Sequence, residues 1–199
     1  MLQNYLNNIT VFYPGAFKCM HSGHISVINT YIQNPSVKCI KIIISNKDRD
    51  GIDVNTAFNV AKLLNFSKKI QIVKSSSPSP IGYVYDYIIN RKRGNFALAC
   101  IEKDNDNLRA INFYKEFNDN GKYKERLSKN VHVINLPIII SPKKYHHRND
   151  ENDNKPISSK FLRDDLKNDD YENFKTNYPD IDETIVSKIW KKLKIHQKT

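Results

Sequence analysis

The sequence has few cysteines, few glycines and no long apolar segment, and each shortage excludes a class of protein. Its 3 cysteines are odd in number and widely spaced, so we expect no disulfide framework and a reducing, cytoplasmic setting. No stretch approaches the ~20 apolar residues of a membrane helix, and we expect no signal peptide. With 6 glycines and 8 prolines in 199 residues, the chain is neither collagen-like nor of low complexity.

The glycines also exclude the two common phosphate-binding loops. No two of them are two residues apart, so the dinucleotide motif G-x-G-x-x-G is absent. Lys122 follows Gly121, but Glu116 stands where a P-loop has its first glycine. A nucleotide site in this chain must therefore depend on other residues.

Positive charge is what the chain has in excess. It contains 32 Lys and Arg against 21 Asp and Glu, which gives a net charge of +11. Such a surface attracts polyanions, and charge alone leaves nucleic acid, anionic lipid and nucleoside triphosphates open. Hydrophobic residues make up 39% of the chain, enough for the core of one domain over residues 1–199.

Short β-branched segments alternate with segments of helical apolar spacing along most of the chain. Strands are predicted at residues 9–13, 39–45, 70–73 and 96–101, and a fifth within residues 131–140 that is interrupted by Pro137. The alternation predicts right-handed crossovers and therefore an α/β, Rossmann-like fold: a doubly wound, parallel five-stranded sheet with helices on both faces. Residues 1–156 form this core, and residues 157–199 form a C-terminal helical extension. Ligands of such sheets bind outside the carboxyl ends of the strands.

The loop after the first predicted strand combines the residues that a phosphate site needs. His21 and His24 lie one helical turn apart at the predicted start of a helix, where N–H groups and the positive dipole end favour an anion. Gly15 permits a sharp turn, and Gly23 removes a side chain where a ligand can approach closely. Lys18 adds a cation to the same loop.

This loop resembles a signature of the cytidylyltransferase-like nucleotidyltransferases, G-x-F followed by H/T-x-G-H. The matching residues are Gly15, Ala16, Phe17, His21, Ser22, Gly23 and His24. Residues 13–15 are most similar to the pantetheine-phosphate adenylyltransferase branch, and residues 17–18 to the nicotinamide-nucleotide adenylyltransferase branch. The chain departs from both branches at Cys19 and Met20, where they often have a proline.

A second segment, far along the chain, resembles the family's other signature, I-S-S/T-x-x-x-R. Residues 157–163 read ISSKFLR, and Ser158 or Ser159 can cap a helix on which Arg163 lies one turn further on. A hydroxyl, backbone N–H groups and a guanidinium would then converge on one anion. The two motifs together identify the family more specifically than either does alone.

The resemblance implies transfer of a nucleoside monophosphate from a triphosphate to a phosphorylated small-molecule acceptor, with release of pyrophosphate. By matched position, the residues that contact the triphosphate are His21, His24, Lys18, Ser158, Ser159 and Arg163. Among them, the resemblance gives His24 the role of stabilising the transition state. It also implies Mg²⁺, held mainly by the substrate phosphates.

The acceptor and the base of the donor are less sharply indicated. Lys47 and Arg49 follow the second predicted strand, and Lys103 and Arg109 follow the fourth, so these residues are expected to face the acceptor. Cytidylyltransferases of this family usually have R-T-x-G-I-S in the second motif. Residues 154–156 are Asn-Lys-Pro here, which favours ATP over CTP.

Three other interpretations stay open at this point. Cys19, His21, His24, His146 and His147 are candidate zinc ligands, although zinc needs three or four that converge. A relative that binds a nucleotide without catalysis would have the same motifs. The charge admits a nucleic-acid-binding protein, although no known nucleic-acid-binding motif is visible. The sequence does not decide whether the chain forms a homo-oligomer.

Overall fold

The centre of the molecule is a five-stranded parallel sheet in the order β3-β2-β1-β4-β5. The computed structural model describes residues 7–100, 106–118, 120–136 and 157–195. The strands are β1 (Ile9–Gly15), β2 (Val37–Ile44), β3 (Ile70–Lys74), β4 (Arg93–Leu98) and β5 (Asn130–Val133). The prediction of a doubly wound α/β fold is confirmed.

Helices cover both faces of this sheet. They are α1 (Ser22–Gln33), α2 (Val54–Leu63), α3 (Pro80–Ile89), α4 (Asp106–Phe117), α5 (Ser159–Lys167), α6 (Tyr171–Lys175) and α7 (Glu183–Ile195). A 3₁₀ turn at Lys124–Arg126 precedes β5. None of the helices in the described ranges is long and apolar enough to cross a membrane.

The alternation of side chains along β1 separates two apolar cores. Val11 and Tyr13 belong to a core with α1, α2 and the C-terminal helices α5 to α7. Phe12, between them, belongs to a second core with α3 and α4. Because successive strand residues point to opposite faces, the C-terminal helices lie on the same face as α1.

Strands lie on both sides of β1, with β2 and β3 on one side and β4 and β5 on the other. After β3 it returns through α3, which contacts β2 and β1, and adds β4 on the free side of β1. The switch point of the topology therefore lies between β1 and β4. A ligand of an open parallel sheet is expected at the carboxyl ends of these two strands.

β1, β2 and β3 differ from their predicted bounds by one or two residues, while the larger differences are at β4, β5 and α6. β4 was predicted over residues 96–101 but begins at Arg93, because polar residues 93–95 pair with β5. β5 ends at Val133 rather than at residue 140, and residues 137–140 lie outside the described ranges. α6, with 5 residues, is too short to show an apolar period and was not predicted.

Candidate functional site

The loop after β1 is shaped by an aromatic ring that folds back over its own backbone. Phe17 has a φ of 47°, and a Cβ on Gly15 would come within 2.8 Å of its ring. The same ring packs edge-on against Tyr13 and His24, at centroid distances of 4.9 and 5.1 Å. Packing therefore requires glycine at residue 15, and Phe17 supports the imidazole of His24. Ala16, between them, is half-buried.

His21 and His24 form a reciprocal cap at the start of α1. His21 Nδ1 accepts a hydrogen bond from Gly23 N at 3.2 Å, and His24 Nδ1 accepts one from His21 N at 3.3 Å. The two ring centroids are 3.9 Å apart. A ring nitrogen that accepts an N–H bond has no proton of its own, so each neutral ring has its proton on Nε2. In both neutral imidazoles the N–H donor is therefore at Nε2.

The expectation that the first N–H groups of α1 await an anion is wrong. Ser22 N donates to Asn177 O at 3.2 Å, and Gly23 N donates to His21 Nδ1. His24 N donates to His21 O at 2.9 Å. The start of α1 is capped by the protein itself, so its first three N–H groups already have acceptors.

Lys18 is a buried cation in the same loop. Its side chain is only 1% exposed, and Nζ donates to Ser45 O at 2.9 Å. Burial lowers the pKa of Lys18, while the nearby Asp48 and Asp53 raise it. An ammonium has three N–H donors, and among the residues that the structure describes only Ser45 accepts from it.

Helix α5 and the segment after α6 donate hydrogen bonds to the loop between β1 and α1, residues 16–21, which we call the histidine loop. Ser159 Oγ donates to Cys19 O at 3.0 Å, although the two residues are 140 positions apart in the chain. Tyr178 Oη donates to Met20 O at 2.6 Å. Ser22 Oγ donates to Asn177 O at 2.7 Å. The two sequence motifs therefore meet at the carboxyl end of β1.

Arg163 lies in the same region with two of its three nitrogens bonded. Nε donates to Asp50 Oδ2 at 2.5 Å, and Nη1 donates to Ser159 O at 2.8 Å. Lys167 Nζ reaches the other oxygen of Asp50 at 3.3 Å. Slight burial opposes ionisation of Asp50, but the hydrogen bonds and charges of Arg163 and Lys167 lower its pKa. Ser158 occupies the N-cap position of α5 and makes no capping bond with its side chain.

The zinc interpretation gains no support from this geometry. Burial raises the pKa of the Cys19 thiol to about 12, even though Arg163 lowers it. A cysteine binds zinc as the thiolate, which this environment disfavours. No three ligating side chains converge in the described part of the chain, and His146 and His147 lie outside it.

The predicted acceptor residues are not brought together. Lys47 and Arg49 are exposed on the loop after β2, and Lys47 N donates to Ser45 Oγ at 3.2 Å. Arg109 is exposed on α4, whose core contacts lie on the opposite face of the sheet from α1. Lys103 lies outside the described residues. Of the three that the structure describes, only the pair after β2 adjoins the loop that holds Lys18.

Sequence reasoning missed four residues of the site: Ser45, Asp50, Asn177 and Tyr178. The dipeptide Asp50-Gly51 signals a turn, but it does not say which helix the carboxylate reaches. Tyr178 contacts a carbonyl 158 positions earlier, for which no local pattern exists.

Neither of two comparisons with known proteins assigns the chain to a family. No family model matches the chain, and no curated protein matches it either.

Proposed function

We propose that this protein is a nucleotidyltransferase that moves AMP from ATP to a phosphorylated small-molecule acceptor and releases pyrophosphate. The hydrogen bond from Ser159 to Cys19 is the observation that carries the proposal. It joins the two motif segments beside β1, a strand at the topological switch point, where parallel sheets bind their ligands.

Two buried cations support an anionic ligand. Lys18 and Arg163 are 1% and 6% exposed. Buried charges are costly unless they are paired, and Lys18 has only a carbonyl oxygen as acceptor among the described residues. A triphosphate would supply the negative charge and the acceptor oxygens that this ammonium lacks. Perturbed titratable groups of this kind cluster at functional sites.

The proposed reaction is an in-line displacement without a covalent enzyme intermediate. A phosphate oxygen of the acceptor attacks the α-phosphorus of ATP, and the bond from that phosphorus to the bridging oxygen of the β-phosphate breaks. Pyrophosphate leaves with the electron pair of that bond. Catalysis of such a step consists mainly of orientation and of neutralising charge.

Each side chain has one proposed task in this step. His24 and His21 donate Nε2–H bonds to the phosphate oxygens on which charge develops, and Phe17 keeps the ring of His24 in place. Lys18 neutralises the α- or β-phosphate. Arg163, together with the Ser158 hydroxyl, holds the phosphates that leave. Ser159 already donates to Cys19 O, so its hydroxyl joins the two segments.

Mg²⁺ is proposed to enter as part of the substrate, bound to the triphosphate. The described residues contain no group of three side chains that could ligate it. We therefore assign no protein ligand to the ion and derive no step through it.

Pyrophosphate release tests the proposal. The protein is incubated with Mg²⁺, one of the four common nucleoside triphosphates and each member of a panel of phosphorylated acceptors. We expect release with ATP and one class of acceptor, and loss of release in His24→Ala. Release with CTP alone would make the protein a cytidylyltransferase. Triphosphate binding without release would make it a non-catalytic relative, and no binding at all would overturn the proposal.

A further inference from the structure

The loop between β2 and α2 contacts both buried cations of the site. Ser45 O accepts from Lys18 Nζ at 2.9 Å, and Asp50 Oδ2 accepts from Arg163 Nε at 2.5 Å. The two cations belong to different motif segments, one after β1 and one on α5. A single short loop therefore sets the position of both.

The backbone presents Asp50 in a fixed way. Asp50 and Gly51 have φ values of 49° and 73°, and they form the tip of a tight turn. Arg49 and Ile52 close this turn with two backbone hydrogen bonds, of 3.2 and 3.0 Å. Ile52 is fully buried and anchors the turn in the core. Asp50 is exposed, but the geometry of this turn and the bonds to Arg163 and Lys167 define the position of its carboxylate.

The hydrogen bonds of Arg163 involve two of the three guanidinium nitrogens and leave the Nη2 edge without an acceptor among the described residues. Nε is bonded to Asp50 and Nη1 to Ser159 O, and no described residue accepts from Nη2. A guanidinium is planar and rigid, so fixing Nε and Nη1 also fixes the direction of the Nη2 donors. Asp50 thus determines the orientation of the edge that a phosphate would meet.

We infer that Asp50 is a positioning residue, which orients Arg163 so that its Nη2 edge holds the leaving phosphates of the triphosphate. The inference rests on the proposed function. Lys167 reaches the other oxygen of Asp50, and more than half of its side chain is exposed, so the bond from Arg163 to Asp50 does not depend on it.

The opposite role would be competition, in which Asp50 occupies Arg163 until a phosphate displaces it. The two roles predict opposite changes in triphosphate affinity when Asp50 is replaced. Removal of a positioning carboxylate weakens triphosphate binding, whereas removal of a competitor strengthens it.

Two substitutions at residue 50 separate the effect of the carboxylate from the effect of the backbone turn. Asp50→Gly removes the carboxylate, and Asp50→Asn keeps an oxygen that can accept from Nε. Glycine and asparagine both tolerate a positive φ, so neither change strains the turn. Lys167→Ala is the matched control, because it removes the exposed partner of Asp50 and leaves the bond to Arg163.

The experiment is calorimetric titration of a non-hydrolysable ATP analogue into the full chain and its variants. We expect Asp50→Gly to raise Kd about tenfold, as the loss of a charge-assisted bond does, and Asp50→Asn to raise it about threefold. In an Arg163→Ala background, Asp50→Gly should change Kd by less than about twofold, because the two residues act as one unit. Lys167→Ala should leave Kd within about twofold of the wild type, since exposed pairs contribute little.

Several results would overturn the inference. Tighter binding by both Asp50 variants would indicate competition. An equal loss of affinity with and without Arg163, accompanied by a lower melting temperature, would indicate a structural role only. Both outcomes leave the proposed function standing. If the wild type does not bind the analogue, the proposed function fails and this inference fails with it.

Discussion

The face of the sheet under α3 and α4 is packed with aromatic rings, whereas on the face under α1 side-chain hydrogen bonds as well as apolar packing join the C-terminal segments to the loop after β1. On the first face, Tyr85 packs against Phe113, Phe117 and Tyr123 at centroid distances of 5.4, 5.2 and 5.1 Å. On the second face, side-chain hydroxyls donate to the carbonyls of Cys19, Met20 and Asn177.

This difference separates stability from positioning. The stabilising free energy of apolar packing is roughly proportional to the buried area and depends little on direction. A hydrogen bond fixes both distance and direction, and a buried carbonyl without a partner is costly. We therefore expect substitutions on the aromatic face to change stability, and substitutions on the hydrogen-bonded face to change chemistry.

The largest expected effect belongs to the aromatic face. Phe113→Ala removes a ring that is 2% exposed and should lower the free energy of unfolding by about 3–5 kcal/mol. Thermal and chemical denaturation measure that loss, and Phe113→Leu should show a smaller one. Triphosphate affinity, measured under conditions where the variant is folded, should stay unchanged. A large loss of affinity would remove the distinction between the two faces.

His24→Ala should have the largest effect on chemistry. We expect turnover to fall by about two orders of magnitude, as it does when one preorganised donor is lost. The far-ultraviolet spectrum should stay native, because His24 is a cap residue and not part of the core. His132→Ala, on β5, is the matched control and should retain the wild-type rate. Equal rates for all three proteins would refute the role of His24.

Tyr178→Phe tests a single hydrogen bond, between the segment after α6 and the histidine loop. The loss of its hydroxyl leaves Met20 O without that donor, which should cost about 1–2 kcal/mol of stability. It should also lower turnover, because the histidine loop is held less tightly. Tyr85→Phe removes the hydroxyl that bonds Glu116 on the aromatic face and should leave turnover unchanged. The comparison fails if both variants affect turnover equally.

Loss of the Lys18 proton should have a smaller effect, a pH-dependent decrease in triphosphate affinity. Its pKa lies below the ordinary lysine value because of burial, so the ammonium loses its proton at a lower pH than a surface lysine does. Triphosphate affinity should therefore fall severalfold as the pH rises through that lowered pKa. Between that pKa and the ordinary one, the contribution of Lys18 to stability rises with pH, because the unfolded chain still binds the proton.

Substitution checks this assignment. Lys18→Met should bind the triphosphate weakly at every pH, without the alkaline decline. Lys38→Met, at an exposed position in the amino-terminal half of β2, should keep the decline. A decline that persists in Lys18→Met would assign it to another group.

The order of strands and helices could be read from the sequence because apolar periodicity is local. The bounds of β4 could not, since residues 93–95 show no apolar strand pattern and join the sheet by pairing with β5 and, at Asn95, also with β1. Helix α6 was missed because it has 5 residues, although the cap formed by Asp170 on Asn173 N is a recognisable signal.

The site was only partly predictable for a related reason. The residues of both motifs stand at predictable places, one after β1 and one at the start of α5. Their partners do not, because Asp50 and Tyr178 act on residues 113 and 158 positions away. The capped N–H groups of α1 also depend on Asn177, which the local sequence around His21 cannot reveal.

The central claim is that two distant segments bind one triphosphate chain, and a crystal structure with a non-hydrolysable ATP analogue tests it most directly. We expect phosphate oxygens within hydrogen-bonding distance of His24 Nε2, Lys18 Nζ and Arg163 Nη2, at the carboxyl end of β1. A nucleotide bound elsewhere, or a triphosphate that contacts only one of the two segments, would contradict it.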